Sequence, residues 1–95
     1  MAHMYILLCS NESYYTGSTK NIELRLAQHF SGAGANHTRK YPPVKLVYYE
    51  HFDRVEDAFY REKQIQKWSR AKKEALIKNL NEDLKDLSIA SWQKK

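Results

Sequence analysis

The chain has 95 residues, a length that suits one domain with a modest core. It is 42% hydrophobic and 13% aromatic, with three glycines and two prolines, which excludes a disordered or fibrous chain. A net charge of +5 favours a polyanionic partner, nucleic acid being the commonest, and the single cysteine, Cys9, excludes an internal disulfide and a cysteine-built zinc site.

The "MAH" ahead of Met4 resembles a cloning remnant, which would start the native chain at Met4. "MYILLC" (4–9) is a short apolar run and reads as a buried strand with Cys9 as a structural thiol. "SNES" (10–13) is turn-like, and "YYTG" (14–17) resumes as a second strand, giving a hairpin that Gly17 ends, where a glycine suits a backbone that must bend sharply or be approached closely. "NIELRLAQHF" (21–30) reads as a helix capped by Asn21 or Thr19, with Ile22, Leu26 and Phe30 as its apolar stripe. "SGAGANHTRKYPP" (31–43) is expected to be a loop, irregular over most of its length. "VKLVYYEHF" (44–52) is a third strand. A helix over 54–68 turns Val55, Ala58, Phe59, Ile65 and Trp68 inward, and Ser69 caps another over 70–80 with Leu76, Ile77 and Leu80 inward. The tail 81–95 is expected to hold a short helix around Leu84 and Leu87 and to fray at "QKK". The order β-β-α-β-α-α gives a small mixed α/β (α+β) domain with an antiparallel sheet, core about 4–80. No apolar run approaches membrane-spanning length and no signal peptide is visible, so a cytoplasmic protein is expected.

Four features could carry chemistry. Glu62 lies four residues after Ala58 and three before Ile65, on the inward side of its helix, where a carboxylate needs a hydrogen bond, an ion pair or a cation. Arg25 and His29 share a helix face. The arginine's planar fork suits a phosphate and the histidine could donate to it or move a proton, while a solvated face accommodates the same pair. Tyr5 and Tyr15 sit on strands expected to pair, with Tyr14 facing the other way. Cations are spread over Lys20, Arg39, Lys40 and Lys45, and over Lys67, Arg70, Lys72 and Lys73, either as phosphate contacts or as a solubilising surface. The chain shows no Walker loop, dinucleotide fingerprint or HExxH motif.

As an ordered set, "MY" (4–5), "YTG" (15–17), "RLAQH" (25–29) and a helical Glu62 resemble the GIY-YIG nuclease superfamily, in its small single-domain bacterial branch named after the nuclease domain of the excinuclease ABC system. The likeness runs from about Tyr5 to Leu80. It implies a three-stranded antiparallel sheet flanked by helices, with the site on one sheet face. It also implies DNA as substrate and one divalent cation, Mg²⁺ or Mn²⁺, held by Glu62. Arg25 then matches the catalytic arginine, Tyr5, Tyr15 and His29 the remaining site positions, and Gly17 the glycine of the second motif. By the same analogy Tyr5 orients the attacking water. The first motif's glycine is absent, since His3 and Met4 precede Tyr5, and Glu74 stands where many members carry a late asparagine, with Asn79 and Asn81 further on.

The expected function is therefore a metal-dependent DNA endonuclease without a nucleotide cofactor or a membrane. It would be structure-directed or weakly sequence-specific, with selectivity from DNA shape or a partner protein. The alternatives are a nucleic-acid-binding module of the same fold that does not cleave, and an RNA-directed protein.

Overall fold

The computed structural model describes residues 1–79; Leu80, Asn81 and the tail helix expected around Leu84 and Leu87 lie outside them. The elements are β1 (Ala2–Cys9), β2 (Tyr14–Thr19), α1 (Ile22–Phe30), α2 (Asn36–Lys40), β3 (Pro43–Phe52), α3 (Val55–Gln66) and α4 (Arg70–Asn79). The three strands form one antiparallel sheet in the order β2-β1-β3. β1 is central, and Met4, Tyr5, Ile6 and Leu7 are all buried, which is why this strand reads as a continuous apolar run rather than an alternation. Its first residues are part of the sheet: Ala2 pairs with Phe52 and His3 with His51, so the strand begins earlier than Met4. Cys9 is buried at its far end, as expected.

The pleat divides the side chains between two layers of helix. Tyr5 and Gly17 are cross-strand partners, as are Leu7 and Tyr15. These face α1 and α2, because the Tyr5 hydroxyl meets His29 of α1, and His29 meets Thr38 of α2. Ile6, Thr16, Ser18, Tyr48 and Glu50 point the other way, where α3 lies. Its Arg61 makes a two-pronged salt bridge to Glu50 at 2.9 and 3.0 Å, and Glu50 also accepts from the Tyr48 hydroxyl. Tyr14 lies on the α4 side, donating to Glu74 at 3.3 Å and carrying the Arg70 guanidinium 4.5 Å over its ring.

Three expectations change. Gly17 neither ends β2 nor makes a turn, since it sits inside the strand opposite Tyr5. The 31–43 segment contains the five-residue helix α2, which carries His37 and Thr38 toward the sheet. The apolar faces of α1 and α3 are narrower than their periodicity suggests. On α1, Leu26 and His29 are buried and Phe30 is exposed. On α3, Ala58 and Ile65 are buried and Glu62 lies between them, while Val55 and Phe59 stay on the flank. Small Ala58 lets α3 approach the sheet along the 58–62–65 row, which rotates the larger Phe59 outward. Asn21 caps α1 by accepting from the Leu24 amide at 3.0 Å.

Ile65 rather than Phe59 should therefore anchor α3. Ile65→Ala is expected to cost about 2–5 kcal/mol in urea unfolding, and Phe59→Ala on the order of 0.5 kcal/mol. Equal losses would contradict this packing.

Candidate active site

The site is organised by a histidine without water. His29 is 0% exposed. It comes from the last turn of α1, four residues after Arg25, and both its ring nitrogens are engaged. Nε2 lies 2.8 Å from the Tyr5 hydroxyl and Nδ1 lies 2.8 Å from Thr38 Oγ1. Thr38 in turn donates to the Ala35 carbonyl at 3.0 Å. Burial is the main cause holding His29 down to about 4 from its ordinary value near 6.5, and the Arg25 charge acts in the same direction. The solvated face considered for the Arg25–His29 pair therefore does not hold for His29.

Tyr5 is 1% exposed, and burial raises its hydroxyl well above the ordinary tyrosine value. Tyr15 is only half-buried, and burial raises it too. Its ring lies 5.2 Å from His29 and stacks on His37 at 5.9 Å, so α2 closes over it. His37 is itself held at 2.8 Å by the Ser13 hydroxyl. The half-buried Arg25 guanidinium donates to Gln28 at 2.9 Å and faces both tyrosine hydroxyls, opposing the effect of burial on each.

Two glycines make this packing possible. A Cβ on Gly17 would lie 2.5 Å from the Tyr5 hydroxyl oxygen and 3.1 Å from the Tyr15 ring. A Cβ on Gly34 would lie 2.4 Å from His29 Nδ1 and 2.9 Å from Thr38 Oγ1. Gly17 thus makes room for Tyr5 rather than for a bend of the chain.

Glu62 approaches from the other side of the sheet. Its side chain is 13% exposed. One oxygen accepts from Ser18 Oγ at 2.6 Å and the other from Gln66 Nε2 at 2.6 Å, with Lys63 Nζ at 4.0 Å. Ser18 follows Gly17 along β2 and so points to the opposite face from the tyrosines. The resemblance implies a site on one sheet face. Instead the residues divide across β2, an edge strand, with Arg25 and the tyrosines on one side and Glu62 on the other. The carboxylate still raises both tyrosine hydroxyls electrostatically.

The donor set around Glu62 limits what metal could bind. Among the described residues no three His, Cys, Asp or Glu side chains converge on a metal-sized site. One carboxylate with a neighbouring hydroxyl fits a hard, largely hydrated cation such as Mg²⁺ or Mn²⁺ completed by substrate phosphate, and does not fit a protein-only cage. Glu74, in the late-asparagine position, pairs with Arg70 at 3.1 Å on the α4 side and takes no part in the site.

The expected cations differ in their surroundings. Lys20, Lys45 and Lys67 are exposed. Arg39 bonds Asn36 at 2.8 Å, Lys40 lies 5.5 Å over the Tyr41 ring, and Lys72 lies 4.3 Å over the Trp68 ring. Arg70 is tied to Glu74, to the Tyr14 ring and to the Glu12 carbonyl, and Lys73 is half-buried.

Sequence reasoning missed Thr38, Gly34, Ser18 and Gln66. A short helix has no periodicity to reveal Thr38, and Gly34 looks like any loop glycine. Gln66, four residues after Glu62, was the detectable one.

The buried neutral histidine has a consequence for stability. Its folded value lies below its unfolded one, so between about pH 6.5 and 4 the unfolded chain binds the extra proton and stability falls as the pH drops. The groups facing it are Tyr5, Tyr15, Arg25 and Thr38. His29→Gln should show a shallower fall of melting temperature from pH 7 to 4 than the unsubstituted protein, in parallel calorimetric scans. Identical slopes would refute a neutral buried imidazole.

The chain is similar to known proteins. A family model described as the GIY-YIG catalytic domain matches residues 1–75. A UPF0213 protein of Natronomonas pharaonis is 48% identical over 75 residues, covering 79% of this chain and 88% of its own length. One from Syntrophus aciditrophicus is 51% identical over 77 residues, covering 80% and 88%. Among solved structures, the solution NMR structure of the UPF0213 protein BH0048 from Bacillus halodurans is similar, with a TM-score of 0.58 and 34% identity. The similarity covers 97% of this chain and 99% of that one. The matched region contains Tyr5, Tyr15, Gly17, Arg25, His29 and Glu62, and the chain belongs to the small single-domain GIY-YIG family.

Proposed function

We propose that the nuclease-like chemistry of this family takes the form here of metal-assisted hydrolysis of DNA phosphodiesters, by an endonuclease that reads DNA shape more than sequence. One observation carries the reading: on the edge strand β2, Gly17 packs against Tyr5 and Tyr15 on the Arg25 side while the next residue, Ser18, holds Glu62 at 2.6 Å, so one short stretch of strand joins the arginine, the tyrosines and the carboxylate. A guanidinium on one side of an edge strand and a carboxylate on the other can engage a phosphate lying across that edge. Arg25 stabilises the charge that builds on the non-bridging oxygens. Glu62, oriented by Ser18 and Gln66, is the residue that would hold Mg²⁺ or Mn²⁺, and the cation when bound supplies stabilisation of charge on the leaving oxygen.

The tyrosines take different roles. Tyr5 is buried and its hydroxyl is committed to His29, so it braces the site rather than touching water. Tyr15 is the accessible hydroxyl and orients the attacking water, whose proton passes to solvent. Neither tyrosine is a phenolate at neutral pH, because burial raises both. A role in DNA repair or recombination fits a shape-reading nuclease, with a partner protein adding selectivity, and a cytoplasmic location fits that substrate in bacteria.

A second reading has its own observation. Both Glu62 oxygens accept hydrogen bonds within the protein, from Ser18 and Gln66, which suits a binding module that keeps the fold and does not cut.

One assay separates the two. Branched, nicked, single-stranded and plasmid DNA are incubated with Mg²⁺, Mn²⁺ or EDTA. Cleavage is expected only with metal, and Glu62→Ala and Arg25→Ala are each expected to lower its rate by about 100-fold or more. DNA binding without metal-dependent cutting would establish the binding module. Cutting that survives both substitutions would remove the site assignment.

A further inference from the structure

The hydrogen bonds behind Arg25 have a direction, and the residue at their far end sets it. The Ala35 carbonyl can only accept. Its 3.0 Å contact with Thr38 Oγ1 therefore takes the hydroxyl's one proton, since otherwise two oxygens would face each other lone pair to lone pair. Thr38 Oγ1 is left as an acceptor toward His29 Nδ1 at 2.8 Å, so Nδ1 carries the imidazole proton. Nε2 is then bare and must accept from the Tyr5 hydroxyl at 2.8 Å. With that proton committed, the Tyr5 oxygen offers only lone pairs to the guanidinium in front of it. Every donor in the series points the same way, from Tyr5 through His29 and Thr38 to the Ala35 carbonyl.

The far end is sealed. Thr38 is fully buried, so water does not compete for its hydroxyl. Gly34 lies so close to both Thr38 Oγ1 and His29 Nδ1 that any side chain there would push between them. A hydrogen bond packed this tightly, one layer behind a site, tunes the group in front of it.

We infer that Thr38 is a positioning residue: by fixing His29 in its Nδ1–H form it commits the Tyr5 proton to His29, so that the Tyr5 oxygen turns lone pairs rather than a proton toward the nearby Arg25, the residue that would meet a substrate phosphate. This rests on the reading of Arg25 as the phosphate-binding residue. Without the Thr38 hydroxyl, the Nδ1 proton has no acceptor in a dry cavity, and the neutral imidazole moves its proton to Nε2. Nε2–H then donates to the Tyr5 oxygen. The Tyr5 lone pairs are drawn away from Arg25, and the tyrosine proton is left to point at the guanidinium.

The test has two readouts. The first uses the ¹⁵N-labelled full chain at pH 7, free of DNA and metal, and reads the ring tautomer of His29 from two-bond ¹H–¹⁵N correlations. The unsubstituted protein and Thr38→Ser should show protonated Nδ1 and bare Nε2, and Thr38→Val the reverse. Thr38→Ala removes the hydroxyl without adding bulk and gives the same readout should Thr38→Val not fold. The second is DNA affinity and metal-dependent cleavage, which the Val or Ala variant should lower by about 10-fold to 100-fold while Thr38→Ser restores them. An Nδ1–H form that persists without the hydroxyl overturns the inference, as does a reversed tautomer with affinity and cleavage unchanged. Because the tautomer is read without substrate, the two failures are distinguishable. A protein with the expected tautomer that binds DNA but does not cut refutes the nuclease reading alone, and the inference is then judged on affinity. One that does not bind DNA at all refutes the positioning role as well.

Discussion

A neutral imidazole sealed from water survives only if both of its nitrogens find partners, and much of the local architecture follows from meeting that need for His29. One partner is on the central strand, where the Tyr5 hydroxyl reaches Nε2. The other must come from below α1, where the chain makes a single short helix to bring Thr38 within reach. Space at either end is left by the missing side chains of Gly17 and Gly34. Of the chain's three glycines, Gly34 thus leaves room for the histidine and Gly17 for its tyrosine partner.

The second constraint is the edge position of β2. A site that drew all its groups from one face of so small a sheet would need several charged side chains within one layer. Alternation along a single edge strand spreads them instead: Gly17 serves the tyrosine side and Ser18, the next residue, orients Glu62 on the other. The arginine and the carboxylate are thereby kept apart as a pair while both act on the two hydroxyls. β1 cannot do this, because it is covered by strands on both sides.

The parts of the site legible in the sequence were those set by regular periodicity. Arg25 and His29 are one helical turn apart, Glu62 interrupts an apolar row, and Tyr5 and Tyr15 fall on adjoining strands whose register follows from the short turn between them. These positions, with the family resemblance, pointed to the fold and the residues that converge. What escaped was set by three-dimensional proximity alone. Thr38 is 9 residues from His29, in a five-residue helix too short to show periodicity, and Gly34 has an ordinary loop context. For Gly17 the sequence left two reasons open, a sharp bend or a close approach, and the close approach of Tyr5 is the one that applies. Phe59 was placed inward because hydrophobic spacing identifies a stripe without saying which edge of it touches the sheet. Small Ala58 decided that.

The burial of Cys9 has a practical use. It is the chain's only cysteine, it is 1% exposed, and burial pushes its thiol up, away from the reactive thiolate. The folded protein therefore presents almost no background to thiol-reactive dyes. A single cysteine introduced on an exposed position such as Lys45 or Lys67 would take a fluorophore or spin label selectively, so distances from chosen points on this surface to a bound polymer become measurable without first removing a native thiol.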